Sequence, residues 1–136
     1  MKIELDDYSQ SRNRIKSYSA GCVVISDKVF NSSLILSADT IIDDRLPDII
    51  TQLKLDDLDQ MLALDPEVVL LGTGAVIHFP EPAITAFFNS RKIGFEVMDT
   101  GAACRAFNIL MAEDRRVVAA LFMIETHAAH ASLNSR

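Results

Sequence analysis

The chain has 136 residues, 49 % of them hydrophobic and 24 % charged, and a formal net charge of −6. That length fits one domain able to bury roughly two-thirds of its unfolded surface, and the apolar content excludes intrinsic disorder. The Lys and Arg residues are dispersed, adjacent only at Arg91-Lys92 and Arg115-Arg116; this excludes nucleic acid, which needs a clustered basic face, and disfavours an anionic membrane, but leaves a basic protein partner open.

Residues 1–14 are polar and irregular and read as a loosely ordered arm. Acids come early and no continuous apolar stretch follows, so this is not a secretory signal. No run approaches the ~20 apolar residues needed to span a bilayer, and the expected location is the cytoplasm. From Ile15 to Ile25 the chain alternates, Ser26-Asp27-Lys28 reads as a turn, and Val29 to Leu36 is a second apolar-rich segment. Two such runs across a short polar turn predict a β-hairpin. A third short strand over Thr40–Asp43 would make an antiparallel meander.

Asp48–Leu64 places Ile49, Ile50, Leu53, Leu58, Met61, Leu62 and Leu64 mostly three and four residues apart, which predicts an amphipathic helix. Its polar face would carry Asp56, Asp57 and Asp59. Eight acids lie between Asp39 and Asp65 against only Arg45 and Lys54. That stretch is either a solvated face or a docking surface for a basic partner.

The second half alternates. Val68–Leu71 is wholly apolar between Asp65-Pro66 and Gly72-Thr73-Gly74, the pattern of a central parallel strand buried on both faces. Ile84, Phe87 and Phe88 follow at helical spacing, with Pro82 in the first turn. Phe95–Met98 is a strand, Ala102–Met111 a helix, Glu113–Arg116 a turn and Val117–Ile124 a closing strand. The order β-α-β-α-β implies right-handed crossovers and a parallel core. A single α/β domain over 15–124 is expected, with 125–136 a frayed or flexible tail.

Gly72-Thr73-Gly74 follows a buried strand, where ligand loops of open α/β sheets sit. It lacks the third glycine of the dinucleotide fingerprint and the P-loop lysine. Asp99 or Thr100 is placed to cap the helix from Ala102, and free N–H groups there favour an anion with Arg105 one turn on. Gly72, Thr73, Gly74, Thr100, Gly101 and Arg105 therefore form a candidate ligand or anion pocket; the plain alternative is a structural turn. Cys104 lies in that helix's first turn, where a thiol pKa can fall, and a Cys104/His78 dyad would make a thiol-dependent enzyme. Cys22 and Cys104 otherwise read as buried small hydrophobes. Glu125, His127 and His130 lack a further well-placed ligand for a metal site. No complete catalytic set, metal site or cofactor motif is read.

The stretches LLGTGAVIHFP and KIGFEVMDTGAACRAFNILMAEDRRVVAALF carry a resemblance. Gly72-Thr73-Gly74 comes first, then Glu96, Met98, Thr100 and Ala103. Arg105 and Asn108 follow, with Arg115-Arg116 and Val118–Leu121 at the end. Over residues 66–124, and more loosely over 15–65, the chain resembles the bacterial family of unknown function 498/598, related to mitochondrial complex I assembly factors. The tryptophan expected in the 40s region is absent. The resemblance implies a three-layer α/β sandwich with a mixed sheet, no established enzyme activity, and partners among membrane-complex subunits or assembly proteins. The leading expectation is a protein–protein module assisting assembly of a membrane complex, with a small-ligand or anion-binding protein as the alternative. Self-association through a free strand edge is compatible with either.

Overall fold

The computed structural model describes residues 12–125. Three short strands, β1 (Ile15–Ser19), β2 (Cys22–Ile25) and β3 (Lys28–Phe30), form an antiparallel sheet of their own. The alternating run Ile15–Ile25 is itself a hairpin, folded at Ala20-Gly21, and the Ser26-Asp27 turn joins β2 to β3. The expected second arm of the hairpin is divided: β3 ends at Phe30, and β4 (Leu34–Leu36) belongs to a second, five-stranded sheet with β5 (Ile41–Ile42), β6 (Val68–Thr73), β7 (Gly94–Met98) and β8 (Val117–Phe122), in the order β5-β4-β8-β6-β7. Leu34, Ile35 and Leu36 are all fully buried, so β4 needs cover on both faces, which a three-stranded surface sheet does not offer.

The core of the large sheet is parallel. Strands β6 (Val68–Thr73), β7 (Gly94–Met98) and β8 (Val117–Phe122) are joined through α2 (Pro82–Asn89) and α3 (Thr100–Ala112). β6 pairs with β7 on one side and β8 on the other. The two crossovers run in opposite directions along the sheet, so right-handedness places α2 on one face and α3 on the other. Alternation then sorts the core. Val68, Leu70, Val117, Ala119 and Leu121 meet Cys104, Phe107 and Met111 of α3 and the inner face of the small sheet. Val69, Leu71, Val118, Ala120 and Phe122 meet Leu58, Met61, Ile84 and Phe88. The result is the three-layer α/β sandwich with a mixed sheet.

The expected helix over Asp48–Leu64 is interrupted. A 3-10 turn spans Ile50–Gln52, Leu53 and Lys54 are extended, and α1 runs Leu55–Leu62. Leu53 is buried in the α1–α2 core, and extension at that residue lets both it and the Leu58/Met61 stripe point inward. Asp57 restarts the helix: its Oδ2 accepts the Lys54 N–H at 2.8 Å. On α2, the Phe88 ring stacks on Phe95 with centroids 4.8 Å apart. After β8 the chain continues beside the small sheet, where Gly21 N donates to Ile124 O at 2.7 Å.

Candidate functional site

The carboxyl ends of β6 and β8 and the start of α3 meet where the sequence placed the pocket. Thr100, fully buried, is the first residue of α3. Its hydroxyl donates to Phe122 O at 2.6 Å and accepts the Gly74 N–H at 2.7 Å, while its own N–H donates to Gly74 O at 2.9 Å. One side chain thus ties two strand ends to a helix start. The cap itself is Asp99, whose Oδ1 accepts the Ala102 N–H at 2.9 Å.

Both glycines of the loop are required. A Cβ on Gly72 would lie 3.0 Å from Ala103 Cβ and 3.1 Å from Thr100 Cα, so glycine lets α3 sit directly on β6. Gly74 has φ +102°, a conformation side chains resist, and the carboxylate of Glu125 fills the space beside it. Glu125 Oε2 accepts the Ala75 N–H at 2.9 Å. Thr73 fixes the path of the loop: its hydroxyl donates to Val76 O at 2.7 Å and accepts the His78 N–H at 2.9 Å. The loop held this way presents exposed Val76, Ile77 and Phe79.

Gly72, Thr73, Gly74, Thr100 and Gly101 are therefore brought together, but the N–H groups of Gly74, Ala102 and Ala75 are bonded to Thr100, Asp99 and Glu125 rather than turned to an anion. Arg105 stands exposed at the margin, donating to the Tyr18 hydroxyl, and the Tyr18 ring lies against Gly101. Sequence reasoning missed Tyr18 and gave Glu125 only to a metal set. Both act across about fifty positions or more, and the sole local hint was an acid just after the last apolar strand.

The thiol arrangement is corrected. Cys104 is 1 % exposed on the inner face of α3, whereas His78 lies in the exposed loop. Burial pushes the Cys104 thiol up to about 12, against the opposing pull of Arg105; the first-turn position lowers a thiol pKa only where the sulfur is solvated. The raised value means the unfolded chain ionises first. This group's contribution to stability is complete below about pH 9 and drains away as pH rises toward about 12. Urea titrations across that window should show a fall that Cys104→Ala flattens, and iodoacetamide at pH 8 should label half-buried Cys22 well before Cys104.

On α1, Asp56 and Asp59 are exposed, whereas Asp57 is half-buried and bonded to Lys54 N. The expected three-residue partner surface thus contains one structural acid. Asp57→Ala should cost about 1 kcal/mol, and Asp56→Ala or Asp59→Ala less than about 0.5 kcal/mol, read from urea midpoints. The Arg115-Arg116 pair is also committed: Arg115 Nε lies 3.2 Å from Glu67 Oε1 and Arg116 Nε 3.5 Å from Asp65 Oδ2. The Arg116 N–H and then Arg115 hold the Glu67 carboxyl below its usual range. His127 and His130 lie outside the described residues.

Comparison with known proteins extends this picture. The family described as "Protein of unknown function (DUF498/DUF598)" matches residues 15–122. The "13 kDa major membrane protein" of Francisella tularensis subsp. holarctica is 32 % identical over 104 residues, covering 75 % of this chain and 84 % of that one. The NADH dehydrogenase (ubiquinone) 1 alpha subcomplex assembly factor 3 of Xenopus tropicalis is 35 % identical over 71 residues, covering 51 % of this chain but 39 % of that protein. A crystal structure of a Bordetella parapertussis protein superposes with a TM-score of 0.77 at 32 % identity, covering 83 % of this chain and 97 % of that one. The match spans both the glycine clasp and the two sheets around it: the chain belongs to the DUF498/DUF598 family.

Proposed function

We propose that this chain is a non-catalytic accessory protein, a protein–protein module that assists assembly of a membrane complex of the respiratory type. The observation that carries the reading is the state of the loop cluster. The N–H groups of Gly74, Ala102 and Ala75 are taken by Thr100, Asp99 and Glu125, while the loop beside them holds Val76, Ile77 and Phe79 outward, Phe79 at 76 % exposure. Apolar side chains fixed on a bonded loop suit a protein interface. The likeness to the Xenopus complex I assembly factor, over about two-fifths of its length, supports the same direction. No helix among the described residues is long and apolar enough to cross a membrane, so the proposal has the chain reach its complex through a partner, from the cytoplasmic side. Cross-linked affinity purification from soluble and detergent-extracted membrane fractions tests it. Stoichiometric recovery of one membrane-complex component supports the module; recovery of the protein alone overturns it.

A second reading, a small-ligand or anion-binding protein, is favoured by one fact: a carboxylate does sit on the Ala75 N–H, that of Glu125. A small carboxylate or phosphate would displace it, with Arg105 as the second contact. Under this reading Arg105→Ala removes ligand-dependent thermal stabilisation and leaves the fold intact. The reading fails if neither acetate nor phosphate raises the melting temperature of the wild-type chain.

A further inference from the structure

Loop 75–79 is exposed at every residue and carries Val76, Ile77 and Phe79. Exposed side chains keep one direction only where the backbone beneath them is tied down. Two of the loop's ties come from its own stem: Thr73 Oγ1 donates to Val76 O at 2.7 Å and accepts the His78 N–H at 2.9 Å. The third comes from across the fold, where Glu125 Oε2 accepts the Ala75 N–H at 2.9 Å. Among the described residues no other group bonds residues 75–79.

Glu125 is presented from a moored backbone. One residue earlier, Ile124 O accepts the Gly21 N–H at 2.7 Å and Ile124 bridges Ala20 in parallel, so the chain leaving β8 is fastened to the β1–β2 turn. A Cβ on Gly74 would collide with Glu125 Oε1; glycine there leaves the carboxylate its room beside the loop. The Thr100 clasp is separate. It uses the N–H and carbonyl of Gly74 and the carbonyl of Phe122, none of which Glu125 touches. Thr73 is fully buried in β6 whereas Glu125 is half-buried. Glu125 is therefore the tie that can open without disturbing the sheet.

We infer that residues 123–125 are a strap that holds loop 75–79 in the outward position a partner meets, with Glu125 as its positioning residue. Closed, the strap fixes Val76, Ile77 and Phe79 as one apolar surface; opened at Glu125, it leaves the loop on its stem alone while the fold stands on the Thr100 clasp. The inference rests on the accessory-module reading above and names the contact that keeps its interface in shape.

The test is amide hydrogen exchange across the full chain in wild type, Glu125→Ala and Glu125→Gln, with melting temperatures alongside. The decisive amide is His78, which is bonded to Thr73 and not to Glu125. In Glu125→Ala, exchange at Ala75 and at His78 should quicken about 10-fold, the weight of one charge-assisted hydrogen bond. Gly74, held by Thr100, should stay within about twofold, and the melting temperature should fall by less than ~5 °C. Glu125→Gln keeps an acceptor oxygen and should restore most of the protection. In the cross-linked purification described above, recovery of the membrane-complex component should fall about 10-fold with Glu125→Ala and return with Glu125→Gln. Unchanged His78 exchange in Glu125→Ala overturns the strap, because the loop then holds without it. Loss of protection at Gly74 as large as at His78 also overturns it, because the contact then belongs to the fold. A component recovered equally by wild type and Glu125→Ala overturns the strap and keeps the module. Faster His78 exchange with no component recovered by wild type overturns the module alone.

Discussion

Thr100→Val lowers stability by about 2–4 kcal/mol, because the hydroxyl it removes serves two backbone groups at once. The Gly74 N–H, 2.7 Å from Oγ1, and Phe122 O, 2.6 Å away, both lie in the interior at the ends of β6 and β8. Valine matches the shape of threonine and offers neither donor nor acceptor, so the loss is one of unmet polar groups rather than of volume. For a domain of this size the melting temperature falls roughly 10–15 °C. Thr100→Ser keeps the hydroxyl and deletes a methyl, and should cost about 1 kcal/mol. Urea denaturation of the two variants checks the claim: equal losses for Val and Ser would mean the methyl, not the hydroxyl, holds the clasp. Amide exchange at Gly74 gives a local readout, since its protection should collapse in the valine variant and survive in the serine one. Loop 75–79 hangs from the same anchor, so the partner binding proposed for Phe79 should weaken alongside.

The parts of the fold legible in the sequence are those set by burial on both faces or by one helical period. Val68–Leu71 and Val117–Leu121 contain no polar residue, and a strand without a polar face belongs in the middle of a sheet. Asp99 before Thr100-Gly101-Ala102 announced α3, and the structure realises that cap. Elsewhere local pattern was outvoted by packing. The leucine period over 48–64 runs on through Leu53, but the core asks Leu53 to face inward from an extended backbone, and α1 restarts after it. Leu34–Leu36 looks like a continuation of its hairpin; only its position between β5 and β8 explains three consecutive buried residues. The residues offered as a candidate pocket meet in space, with Gly74 bonded to Thr100, but other side chains join them there. Glu125 and Tyr18 come from distant parts of the chain, and no spacing in a single sequence links them to Gly74 or Arg105. Cys104 illustrates the same limit, because helix position argued for a reactive thiol and the opposing sheet buried it.

The second large effect concerns the contact between α3 and β6. Gly72→Val should cost about 3 kcal/mol or more, and Gly72→Ala about 1–2 kcal/mol, the range for overpacking a fixed interior. Even the single Cβ of alanine would meet Ala103 Cβ at 3.0 Å, Leu121 Cδ2 at 3.1 Å and Thr100 Cα at 3.1 Å. Leu121 can turn its side chain aside, but Thr100 Cα is backbone, and the two hydrogen bonds of its hydroxyl fix it in place. The helix must move as a body, which strains the Thr100 clasp as well. Ala103→Gly removes one of the three clashes and alone costs about 1 kcal/mol in helix propensity. In a Gly72→Ala background it should therefore cost much less than that, a coupling of about 1 kcal/mol measurable as a double-mutant cycle in urea. Strict additivity would show that α3 and β6 are not in the close contact that Gly72 permits. Coupling of the expected sign would show that the glycine near the end of β6, which the sequence offered as a ligand-loop signature, is there so that a helix can lie against a strand.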